Sequence, residues 1–204
     1  MTALLPRVRV PAPADLPLSL AVLGRPALAF AVRSATVPKS QGSLAFKGYR
    51  PKVTSKGVKS VPLLLPDDPA ALKAWRQAVA GVALASLPAG FTVLDGPVVM
   101  DLIVSVDRKA KTPKTKRTMP ATKPDLDKLA RAVGDALGTD APKIDPKKRQ
   151  IIAEDSRIVA YRRLAKVWEA DEHDTDSLPH PGAVIRLWRY PESMLGKHPV
   201  TGVA

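Results

Sequence analysis

Two aspartates one residue apart, Asp125 and Asp127, stand in the stretch Lys123-Pro-Asp-Leu-Asp-Lys-Leu129, where an extended segment should turn into a helix. Pro124 disfavours helical geometry at Lys123, so the chain is expected to reach the pair extended. Two chemistries suit such a pair. An Asp can cap the helix while its neighbour benefits from the positive end of the helix dipole. Alternatively, paired oxygen ligands on a rigid support can hold a hard divalent cation such as Mg²⁺. Asp127, Arg131 and Asp135 recur every four residues and are expected on one helix face, with Arg131 one turn beyond the first carboxylates. Further on, Glu154-Asp155 precedes an apolar alternation. An acid at a loop-to-strand junction is a common place for a reactive group on a firm base.

The charge around these acids bears on the choice. The 204-residue chain carries 32 Lys and Arg against 19 Asp and Glu, a formal net charge of +13. Such a chain usually meets a polyanion, and nucleic acid leads, although charge alone does not separate it from an anionic membrane surface. No apolar run of about 18 residues is present, so no membrane-spanning helix is expected. Cysteine is absent, which excludes disulfides, thiol catalysis and cysteine metal sites and fits a reducing cytoplasm. The His residues are His173, His180 and His198, all late in the chain, which opposes a His-based zinc site. Residues 7–29 loosely imitate a secretory signal. Asp15 and Pro17 interrupt the apolar stretch, however, and Arg25-Pro26 sits where a cleavage region should be small and neutral.

Cations cluster in two places. Between Asp107 and Lys123 lie Arg108, Lys109, Lys111, Lys114, Lys116 and Arg117, with no apolar period. Delivered beside an acidic pair, this reads as a phosphate-gripping loop, although a charge run is often only a solvated segment. Residues 38–52 mix turn formers with Lys39, Lys47 and Arg50 and the aromatics Phe46 and Tyr49. This is either a loop for phosphate contact and base stacking or a solvated hairpin. The expected DNA-contact set is Lys39, Lys47, Arg50, Lys109, Lys111, Lys114, Lys116, Arg117, Lys123 and Lys128.

Elements must position these groups. Residues 1–26 are Pro-rich and aperiodic, and are expected as an extension packed on the surface or partly disordered. Leu28 to Val32 reads as a first strand. A helix should start at Asp67-Asp68-Pro69 and run through Leu72, Trp75, Val79 and Val82 to near Leu87, with Trp75 in the core. Val98 to Val106 reads as a well-buried strand. Leu126, Leu129, Val133 and Leu137 mark the apolar face of a second helix, stopped by Gly138. Ile158 to Trp168 and Ala183 to Tyr190 read as the last two strands, separated by an acidic loop at 169–181. The order is β-α-β-α-β-β, a single α+β domain over 27–191, with a tail at 192–204.

With these residues assembled, the chain resembles the RusA family of Holliday-junction resolvases across most of residues 28–190. The most specific piece is Lys123-Pro-Asp-Leu-Asp-Lys-Leu-Ala-Arg-Ala-Val-Gly-Asp-Ala-Leu137, similar to the family's K-P-D-x-D-N-L-x-K-x-x-x-D-A-L signature. Glu154-Asp155 before a strand resembles the family's second acidic site. The resemblance implies a mixed β-sheet with helices packed on it. It also implies a Mg²⁺-dependent endodeoxyribonuclease that makes paired cuts in four-way or other branched DNA, working as a homodimer. Asp125, Asp127 and Asp155 would be its catalytic, metal-holding acids, and Arg131 takes the place of the family's essential lysine. The chain departs from the pattern there, at Lys128 where the family has Asn, and in a longer connection from Gly138 to Glu154. The alternatives are a non-catalytic basic DNA-binding protein and a general flap or branch nuclease.

Overall fold

The computed structural model describes residues 20–34, 38, 44–55, 57–66, 69–113, 116–138 and 150–194, and of residues 44–47, 64–66 and 69 the backbone alone. In chain order these form α1 (Leu20–Leu23), β1 (Leu28–Arg33), β2 (Leu44–Thr54), β3 (Gly57–Pro66), α2 (Pro69–Ala85), β4 (Val98–Val106), α3 (Leu126–Leu137), β5 (Ile158–Trp168) and β6 (Gly182–Arg189). Short 3₁₀ turns lie at Asp155–Arg157 and Glu192–Met194.

Four strands make a mixed sheet in the order β1-β6-β4-β5. β4 runs parallel to β5 and antiparallel to β6, which in turn pairs antiparallel with β1. Parallel neighbours need a crossover, and α3 supplies it between β4 and β5. All nine residues of β4 are buried, as its unbroken apolar character requires of a strand covered on both faces. Toward the helices it presents Val98, Met100, Leu102 and Val104, which join Trp75, Val79, Leu129, Val133 and Leu137 in the main core. The sheet thus follows the β-α-β-α-β-β order, and Trp75 is a core residue.

The opposite face of the sheet is partly polar. Val99 packs with Trp188 and Leu23, and the Trp188 indole N–H donates to the Gly24 carbonyl at 3.1 Å, which ties residues 20–24 to the sheet. Beside them Asp101 is fully buried and ion-paired with Arg162 and Arg186. A buried carboxylate is tolerable only with such partners. Asp176, in the loop before β6, is held between Arg186 and Arg163.

The stretch around Arg50 forms a hairpin, not a loop. β2 and β3 pair antiparallel as a separate two-stranded sheet, with Thr54 opposite Gly57 at the turn and a register shift between Phe46 and Tyr49. Gly57 has φ of 108°, a value that favours glycine, and the Thr54 hydroxyl donates to its carbonyl at 2.8 Å. Lys39, Lys114 and residues 1–19, 139–149 and 195–204 lie outside the described residues.

Candidate active site

Asp125 occupies the N-cap position of α3 with extended backbone (φ −73°, ψ 138°), yet its side chain makes no capping hydrogen bond. The capping role that its residue type suggests is therefore not what holds it. Its carboxylate instead pairs with Lys128, one turn on, at 3.0 Å. The hydrogen bond and charge of Lys128, with Lys123 and Lys166 adding to it, hold the Asp125 carboxyl below its ordinary range, so it is ionised near neutral pH. Asp127 lies in the first turn of the same helix, at the positive end of its dipole.

Lys166 was not foreseen from the sequence. It projects from β5, and its ammonium donates to the carbonyls of Thr122 and, at 2.7 Å, Pro124. It thereby pins the segment that delivers Asp125 to the helix. Burial lowers the Lys166 pKa, an effect that Asp125 opposes and nearby Lys109 reinforces. Lys109, Lys123, Lys128 and Lys166 thus act on one another or on Asp125 from three different segments. The signal for Lys166 was a cation in register with Leu164 and Trp168, where a strand's core-facing positions should be apolar.

The basic segment 107–123 is anchored at several points. The Trp168 indole N–H donates to the Thr118 hydroxyl at 3.1 Å, and the Arg108 guanidinium donates to the Pro113 carbonyl at 2.9 Å. Arg117 faces Asp171 at 3.7 Å, so part of its charge is already matched. Arg108, Lys116, Arg117, Trp168 and His173 are among the residues lining a cavity of about 300 Å³ at the carboxyl ends of β4 and β5. Lys109, Lys111, Lys116, Lys123 and, on the hairpin, Arg50 are exposed.

Asp155 reaches the site differently from expectation. It opens the 3₁₀ turn before β5 and packs on the carboxyl half of α3. A Cβ built on Gly138 would lie 2.7 Å from the Asp155 amide nitrogen, and one on Gly134 would lie 3.6 Å from the Asp155 Cβ. The absence of a side chain at Gly138 lets the turn approach the helix so closely, whereas a Cβ at Gly134 would make only ordinary contact. Seven residues separate Asp127 from Gly134, about two turns and roughly 10 Å along the axis. Both fall on one stripe of α3, with exposed Arg131 between them. Asp127 and Arg131 thus stand on α3 on the side where the turn carrying Asp155 packs.

Asp135 leaves that stripe. Eight residues from Asp127 correspond to about 80° of rotation beyond two full turns, and Asp135 is buried against α2 in an ion pair with Arg76. Its role is to join the two helices.

Among the described residues no group of three or more His, Asp or Glu is placed to hold a metal ion. Asp125 and Asp127 lie two residues apart at the start of α3, and Asp155 packs against its carboxyl half. Mg²⁺, however, keeps several waters and commonly uses one or two carboxylates plus a substrate's phosphates. An ionised, partly exposed carboxylate not engaged in capping fits that mode, with Asp127 as its neighbour. Residues 49–173, the span that holds all these groups, match the family model described as endodeoxyribonuclease RusA. A search of curated proteins gave no match.

Proposed function

This chain belongs to the RusA family of endodeoxyribonucleases, and from that footing we propose that it resolves four-way junctions in DNA by paired phosphodiester hydrolysis, with Mg²⁺ as cofactor. The observation that carries the reading is Asp125, an ionised carboxylate at a helix start that makes no cap and is ringed by lysines. Asp125 and Asp127 would hold the ion, and Asp155 would serve as the third acid across Arg131. When bound, Mg²⁺ offsets the negative charge of the phosphodiester and lowers the pKa of water.

The chain's own groups do the rest. Lys166 fixes the backbone of residues 122–124 and so orients Asp125. Arg131, exposed one turn beyond Asp127, stabilises charge that builds on the scissile phosphate. Lys128 holds Asp125 until a stronger cation or a phosphate displaces it. Lys109, Lys111, Lys116, Lys123 and Arg50 bind the flanking phosphates, with Lys39, Lys47, Lys114, Lys128 and Arg117 as further contacts. Affinity should therefore fall steeply with salt, because each released counterion gains less entropy in a saltier solution. Two opposed cuts in a four-way junction call for two sites related by a two-fold axis, hence a homodimer. The nuclease unit is assigned to residues 27–191, and the expected compartment is the cytoplasm.

The spread of the acids along α3 favours one rival, a DNA-binding protein that does not cut. Nicking of a synthetic four-way junction by wild type and Asp127→Asn, in Mg²⁺ and in EDTA, separates the two. The nuclease reading requires Mg²⁺-dependent symmetric cuts that Asp127→Asn abolishes while binding persists. Tight binding with no metal-dependent cutting supports the rival, and equal cutting of flaps and single strands supports a general branch nuclease.

A further inference from the structure

The β2–β3 hairpin has more surface than its own pairing accounts for. Its strands of 11 and 10 residues pair, among the described residues, only with each other. A two-stranded hairpin is marginal alone in water. This one also carries features that weaken it. Lys52 lies directly opposite Lys59, and like charges so placed repel across the pair. Val53 lies directly opposite Val58 beside the turn, and these side chains are 81% and 69% exposed. Residues 44–66 contain Lys47, Arg50, Lys52, Lys56 and Lys59 and no acid.

We infer that this hairpin is the element that distinguishes a branch point from continuous duplex: its paired lysines take phosphates, and Val53 and Val58 pack on base faces laid open where DNA arms meet. The inference deepens the nuclease reading and rests on it for the substrate. An anion between Lys52 and Lys59 turns their repulsion into shared attraction, which a polyanion provides and a second copy of the same cationic hairpin does not. A two-stranded ribbon also has the dimensions of the DNA major groove. Strand alternation sends Val53 and Val58 to the face opposite Lys52 and Lys59. Continuous duplex buries its base faces in the stack and offers the valines little apolar surface. A branch offers unstacked base faces, and apolar side chains are known to wedge against bases in this way.

The test measures equilibrium binding by fluorescence anisotropy, with Asp127→Asn as the non-cleaving parent chain, on a four-way junction and a linear duplex of matched sequence. Adding Val53→Ser and Val58→Ser should weaken junction binding about tenfold, the order expected for removing part of two buried valines, and leave duplex binding unchanged. Adding Lys52→Ala and Lys59→Ala should weaken both, and flatten the slope of log affinity against log salt by about two phosphate contacts. Amide exchange over residues 49–61 of the unmutated chain should slow more with junction than with duplex. Equal loss on both DNAs in the valine variant, no loss on either, or equal exchange protection by both overturns the inference. A chain that cuts junctions yet is indifferent to these valines refutes the hairpin's role alone. A chain that never cuts branched DNA refutes the nuclease reading.

Discussion

Replacing Gly138 by Ala isolates the placement of Asp155 from its chemistry. Gly138 has φ of −102°, outside the left-handed region that favours glycine. The main conflict is steric. The new Cβ would sit 2.7 Å from the Asp155 nitrogen and 3.2 Å from the Glu154 carbonyl carbon, against the 3.4 Å at which ordinary contact begins. The turn carrying Asp155 must then retreat by about 0.7 Å, because both neighbours are backbone and cannot rotate away. Overpacking of this kind costs about 1–3 kcal/mol, which a domain with about 5–15 kcal/mol of stability survives. Displacement of a reacting group by about 1 Å can cost on the order of 100-fold in rate. Gly134→Ala is the matched control, since its Cβ meets the Ile158 Cδ1 at 3.4 Å and the Asp155 Cβ at 3.6 Å, both tolerable. There alanine should stabilise the helix by up to about 1 kcal/mol. Urea denaturation gives the folded fraction, and single-turnover junction cleavage in Mg²⁺ gives the rate per folded molecule. The expected result is a 10- to 100-fold loss for Gly138→Ala, by the sensitivity of rate to placement, and near-normal cleavage for Gly134→Ala. A well-folded Gly138→Ala that cuts at the normal rate would refute the catalytic placement of Asp155.

Other expectations concern the groups that hold the site. Asp101→Ala removes the fully buried partner of Arg162 and Arg186; because both arginines are partly exposed and Arg186 keeps Asp176, it should cost about 3 kcal/mol by urea denaturation, the low end for a broken buried pair. Lys166→Met keeps the apolar stem but removes the ammonium and its two hydrogen bonds to the 122–124 segment. It should lower the cleavage rate more than it lowers junction affinity, read as a kcat change exceeding the KM change. Asp176 has its carboxyl pKa pulled below the ordinary value, first by its hydrogen bond to Arg186. A depressed folded-state pKa contributes stability that is present above the unfolded value, near pH 4, and lost as pH falls through the folded one. Urea midpoints at pH 7 and pH 3 should therefore converge more closely in Asp176→Asn than in wild type, and an unchanged gap would refute the contribution.

The fold was legible where periodicity and chain chemistry agreed. Val98–Val106 reads as a buried strand because apolar side chains occupy both of its faces, and α3 announces itself through Leu126, Leu129, Val133, Leu137 and the stop at Gly138. The hairpin was ambiguous because its prolines, glycines and lysines suit a loop as well as an exposed ribbon, and among its described side chains no buried face imposes a period. Asp135 misled because four-residue spacing drifts by 40° per step, about 80° over two steps, which turns it into α2. Lys166 showed only as a cation in register with the core-facing positions of β5, and its partners, backbone carbonyls 42 and 44 residues away, are not encoded in that pattern. The approach of Asp155 to α3 depends on Gly138, whose meaning beyond a helix stop emerges only when the opposing turn is in place.

The proposed nuclease requires Asp125 and Asp127 to bind the ion at which DNA is cut. Crystals of the Asp155→Asn chain with junction DNA, soaked in Mn²⁺ as an anomalously scattering stand-in for Mg²⁺, test this. The expected result is a peak in contact with the carboxylates of Asp125 and Asp127 and with a DNA phosphate, and Lys128 withdrawn from Asp125. Fully bound junction with Lys128 still on Asp125, and no peak at either aspartate, would contradict it.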